Sequence, residues 1–117
     1  MELALVVPVL VLLLLGIAEF GRLYGAYLTV EQAAREGARV AALGGSDAQV
    51  TQTVDKVASW LDTTKLTVQI TPPDGQRLAG QSVKVEVDYR FRFVAPVISR
   101  LVGDSILLHS TMIMRIE

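Results

Sequence analysis

LALVVPVLVLLLLGIA, residues 3–18, is a run of sixteen residues without a charge, and its reading decides the fold. At about 1.5 Å per residue, a helix over it is roughly 24 Å long. A hydrocarbon bilayer core is about 30 Å thick, so the run nearly spans one and would do so if residues precede Met1 or if Phe20, Leu23 and Tyr24 extend it. A secretory signal peptide fits poorly. No basic region precedes the run, and no small-x-small site follows it cleanly. Inside the run, Pro8 leaves the carbonyl of Ala4 without its helical donor, a loss that membrane helices tolerate when neighbouring groups supply a partner. Gly16 is a close-packing surface, a point of local unwinding, or simply a tolerated small residue.

The helical pattern continues past the run. No proline occurs between Glu19 and Leu43, and alanines are frequent. Glu31 and Arg35, then Glu36 and Arg39, have the spacings of stabilising ion pairs on one helix. Gly44-Gly45 is a stop signal. One helix over residues 3–43, roughly 60 Å long, is therefore expected. Leu23, Tyr27, Val30, Ala34, Ala38 and Ala41 are the residues of its second half available to pack. The reading divides the chain into an anchor or filament-core segment, 1–22, and a globular part, 23–117.

The globular part opens with Ser46-Asp47-Ala48-Gln49, a capping-box pattern. Val50, Val54, Val57, Ala58 and Leu61 follow on a helical period, with Trp60 expected to pin this helix to its neighbour. Leu66, Val68 and Ile70 alternate with polar residues, and Pro72-Pro73-Asp74-Gly75 reads as a turn. Val83, Val85, Val87, Tyr89, Phe91 and Phe93 alternate with charged residues, the pattern of a half-buried antiparallel strand. Residues 96–102 read as a short helix. In the last segment Ile106, Leu108, Met112, Met114 and Ile116 share one face. Gln76–Ser82 is the most loop-like stretch. The expected class is α+β: a long apolar N-terminal helix, a second shorter helix and a small antiparallel sheet of about three strands.

Composition excludes several functions. The 117 residues suffice for one domain, and the net charge is −1, with eight arginines and three lysines scattered among twelve acids. No basic patch suited to nucleic acid stands out. The absence of cysteine removes disulfide, thiolate-metal and thiol-nucleophile chemistry. His109, the single histidine, reads as a surface residue on the strand face opposite Leu108. Ser105, Ser110 and Asp104 belong to no nucleophile motif. Arg90 and Arg92 with Lys84 read as a solvated strand face, with contact to an adjacent subunit as the other option. No catalytic, cofactor or metal site is expected.

The residues with functional promise lie in the first helix. Glu2 is an acid at the head of the apolar run, and acids inside membranes are costly unless paired. It is either a partner for a neighbouring subunit's amine or arginine, or an interfacial acid. Glu19 and Arg22 are three apart where the run ends. They suit an intrahelical pair at the membrane boundary or a cross-subunit pair that sets axial register.

Glu2-Leu3-Ala4-Leu5 with Pro8, then Leu15-Gly16-Ile17-Ala18-Glu19-Phe20-Gly21-Arg22, then Ala33-Ala34-Arg35-Glu36-Gly37-Ala38-Arg39, together resemble the TadE-like pilins of the tight-adherence system, within the type IV pilin superfamily. The ending, from Thr111 to Glu117, is similar to that family's last strand. The resemblance implies a structural subunit held in the cytoplasmic membrane by its apolar helix and cut by a prepilin peptidase. It would then be extracted by pilus assembly machinery into a helical filament of identical subunits at the cell surface, serving adhesion. Helices would bundle at the filament's centre, with Glu2, Pro8, Gly16, Glu19 and Arg22 in or near that bundle. The same reading expects a basic leader upstream. Such a leader would offset Arg22, Arg35 and Arg39, which the positive-inside rule would otherwise place in the cytoplasm. The rivals are a minor pseudopilin that primes or caps a filament, and a bitopic membrane protein with an extracytoplasmic binding domain.

Overall fold

The computed structural model describes residues 2–73 and 75–117, so that Met1 and the Asp74 of the expected turn lie outside the described residues. A 41-residue helix, α1 (Glu2–Ala42), runs through a molecule 70 Å long and 19 Å across. It stops where the glycines require. Gly44 takes φ +94°, a backbone conformation open chiefly to glycine, and a Cβ on Gly45 would lie 2.5 Å from Val40 Cγ1.

The second helix, α2 (Asp47–Val57), opens on the expected capping box: Gln49 N–H donates to Ser46 Oγ, and Ser46 N–H donates to Gln49 Oε1. It ends earlier than the periodicity through Leu61 suggests. The chain turns after Ala58 and brings Leu61 back into the core. Trp60 therefore sits beyond the helix. Its indole N–H donates to Thr29 Oγ1 at 3.0 Å, and its ring lies near Gly25, yet the residue stays exposed. It ties the chain just after α2 to α1, as expected, and does so from the surface. A single 3₁₀ turn (Thr63–Lys65) follows, capped by Asp62. The hydroxyl and amide of Thr64 both donate to Asp62, which holds that carboxyl below its ordinary pKa.

The three strands are β1 (Leu66–Thr71), β2 (Ser82–Arg92) and β3 (Ser105–Arg115), with a short helix α3 (Pro96–Val102) between the last two. They form one antiparallel sheet in the order β1-β2-β3. Leu66 pairs with Tyr89 and Thr71 with Lys84; Ser82 pairs with Arg115 and Arg92 with Ser105. On β2 the expected alternation holds: Val83, Val85, Val87, Tyr89 and Phe91 are buried. The opposite face carries a Lys84–Glu86 pair at 2.8 Å and His109 against Asp88 and Thr111, so His109 is exposed as expected. On β3 the shared face buries Leu108 and, just beyond the strand, Ile116; Met112 and Met114 are partly buried. Ile106, at the strand's start, remains exposed.

The core lies between α1, α2 and the inner sheet face. The helix enters it through small residues: Ala26, Val30, Ala33, Ala34, Gly37, Ala38 and Ala41 are buried, whereas Tyr27, expected to pack, is exposed. Small side chains bring three backbones close together. A Cβ on Gly37 would lie 2.9 Å from Val54 Cγ2 and 3.3 Å from Val50 Cγ1, both on α2, and 3.5 Å from Val85 Cγ1 on β2. The stretch expected to be most loop-like holds a further anchor, Arg77. Its side chain is buried; it donates to the carbonyls of Pro72 and Gly45 and pairs with Asp47, tying the β1–β2 connection to the turn between α1 and α2.

Candidate functional site

Two features of α1 stand out. The first is the bare apolar half. Leu3, Leu5, Val6, Val7 and every larger apolar residue from there to Ile17 are exposed. A continuous apolar surface of that kind marks a membrane or protein contact. By length and composition the helix can cross a membrane. Glu2 is exposed at its head, and Pro8 lies inside it without ending it. A Cβ on Gly16 would meet nothing within 4 Å, so no contact inside the subunit requires a glycine there. Gly16 instead floors a shallow apolar groove lined by Val9, Leu12, Leu13, Ile17 and Phe20.

The second feature is the junction at Glu19. Its side chain is buried. Oε2 accepts from Arg22 Nη1 at 3.0 Å, and Oε1 accepts from the backbone N–H groups of Val94 and Ala95, each at 3.1 Å. The Arg22 guanidinium in turn sits 4.8 Å from the centre of the Phe91 ring. Glu19 and Arg22 thus form the intrahelical pair, and the structure adds the sheet-to-helix clamp that spacing alone could not reveal. A carboxylate with three donors is compensated for its burial.

These five positions divide by their surroundings. Glu2, Pro8 and Gly16 face outward from the bare half, while Glu19 and Arg22 mark the level at which the globular part first grips the helix. Among the described residues no cluster of metal-ligating side chains occurs. What the arrangement offers is a rigid helix, bare below one level and clad above it.

Residues 1–39 match the family model of TadE-like proteins. The TadE-like match covers all five positions above and runs on into the clad half, ending at Arg39 among the buried alanines of α1. That match, over one third of the chain, is a likeness to a family linked with the tight-adherence pilus. Comparison with curated proteins and with solved structures found no match. The sheet, α2 and α3 are thus described by their own geometry, outside the TadE-like segment.

Proposed function

We propose that the protein is a structural subunit of a tight-adherence pilus, anchored in the cytoplasmic membrane by residues 2–22 and assembled at the cell surface through the bundling of those segments. The observation that supports this reading is the bare apolar half of a helix whose other half is clad by the chain's own fold. The lower half needs a cover, and lipid or identical helices supply one. The outward-facing Glu2, Pro8 and Gly16 belong to that shared surface. Prepilin peptidase and the pilus assembly machinery are the partners that such a subunit requires. The role is mechanical, without cofactor or catalysis.

The test is the composition of filaments sheared from cells that express the protein from its own locus. The subunit should dominate the filaments seen by electron microscopy, and N-terminal sequencing should define its mature end. A trace amount in filaments of another protein would make it a minor, priming or capping subunit. Retention with the membrane fraction, with none in filaments, would replace the pilin reading with that of a bitopic receptor.

A further inference from the structure

Strand β2 runs antiparallel to α1. Its upper part touches the helix at Gly37, which faces Val85, and its lower end arrives at Glu19, which holds Val94 and Ala95. The chain then makes a closed excursion. Phe93 N–H donates to the Asp104 carbonyl at 3.1 Å, and between them lies α3. The excursion 94–103 is therefore the end of the sheet that points toward the apolar half of α1.

Its surface is unusually apolar for a tip. Val94, Val97, Leu101 and Val102 are all exposed, Leu101 at 74%. Val97 and Leu101 are one helical turn apart and share a face. The only charged residue in α3 is Arg100, and Arg92 sits just above at the end of β2.

We propose that this tip dips into the interfacial layer of the lipid bilayer, giving the subunit a second membrane contact beside α1. The proposal rests on reading α1 as a membrane anchor. Depth supplies the argument. Filling a core of about 30 Å takes about 20 helical residues, whereas the uncharged run 3–18 has only sixteen. With the charged Glu2 at one boundary, a span starting at Leu3 reaches the other boundary near Arg22, above Glu19. The level at which Val94 and Ala95 are fastened is thus at or just inside that boundary.

The bonding agrees with that depth. A carboxylate and two non-helical backbone amides are tolerated there only if protein groups satisfy them, and Glu19, Arg22, Val94 and Ala95 do so among themselves. Arg92 and Arg100 can extend to headgroup phosphates while their stems lie along the apolar layer.

The sequence has no cysteine, so single-cysteine variants of the full chain can carry an environment-sensitive fluorophore. Leu101→Cys reports the tip, Leu10→Cys the anchor and Leu43→Cys the opposite end, where Leu43 is exposed. Each is reconstituted into vesicles of phosphatidylcholine and phosphatidylglycerol with brominated acyl chains. The label at Leu101 should shift to the blue and lose at least half as much intensity to bromine as the label at Leu10, with no loss at Leu43. A water-like spectrum at Leu101 beside strong quenching at Leu10 overturns the proposal and leaves the anchor intact. A blue shift at Leu101 without bromine quenching also overturns it, in favour of a contact with a second copy of the chain. An unquenched label at Leu10 removes the anchor reading, and this proposal with it.

Discussion

Residues 2–18 and 19–42 are two halves of one unbroken helix, yet they meet opposite surroundings. The lower half carries large side chains, leucine and valine above all, and exposes them. The upper half is buried mainly through alanine and glycine, with Val30 the one larger apolar side chain fully buried. Size explains the inversion. Cladding a helix on two sides with a second helix and a sheet requires close backbone approach, which small residues permit. A surface meant for lipid or for parallel copies of itself has no fixed neighbour within the chain and can be bulky. In this protein the amount of apolar surface does not tell which half the chain covers; the size of its side chains does.

The largest effects should come from placing one charge in each half. Val30 is fully buried among alanines. Val30→Asp should cost the globular domain about 4 kcal/mol or more and largely unfold it, since an unpaired buried charge has no compensation. Leu12→Asp should leave the domain's melting temperature almost unchanged while abolishing membrane insertion and filament yield. Circular dichroism melts of detergent-solubilised protein, set beside sheared-filament yield, check both. Equal melting temperatures for the two variants would break the distinction between clad and bare halves.

The boundary between the halves is the next place to probe. Glu19→Ala strips an acceptor from the Val94 and Ala95 amides and a partner from Arg22, and should cost about 2–4 kcal/mol. Arg22→Ala removes only one of three donors to Glu19, from a half-exposed side chain, and should cost about 1 kcal/mol. Hydrogen exchange at Val94 and Ala95 should rise steeply in the first variant and little in the second. Similar exchange in both would mean that the ion pair, and not the backbone clamp, sets the boundary.

A smaller contrast compares two glycines. Gly37→Val forces a side chain against Val54 and Val50 and should cost about 1–3 kcal/mol. Gly16→Val enters open space and should change domain stability by no more than about 0.5 kcal/mol. If Gly16→Val nonetheless lowers filament yield, the groove around Gly16 is a seat for a neighbouring helix. Unchanged yield would make Gly16 merely a tolerated small residue.

Much of the fold was legible because local signals agreed. The double glycine ends α1, Ser46 and Gln49 open α2, and the alternation from Val83 to Phe91 marks the central strand. What escaped was set by partners far away in the chain. Glu19 binds amides 75 and 76 residues later, and no spacing rule reaches so far; an acid beside the end of an apolar run was the sole hint. Arg77 sits in a stretch whose glycine and polar residues read as solvent-facing loop, but its fork finds two carbonyls and Asp47. Tyr27 failed the opposite way. A large aromatic residue invites a core assignment, yet Tyr27 is exposed and alanines fill the buried face of the helix.

The antiparallel run of β2 along α1 also fixes how the molecule would respond to tension. The β2–β3 ladder extends over eleven residue pairs, from Ser82–Arg115 to Arg92–Ser105, alongside the helix. A pull directed along α1 acts parallel to those strands, so it drives the helix and the sheet past each other in shear. Their interlocked side chains then resist together, and the ladder is not peeled open one bond at a time. A force applied across the axis finds no such alignment. The subunit is built with a stiff direction, and that direction is the helix axis.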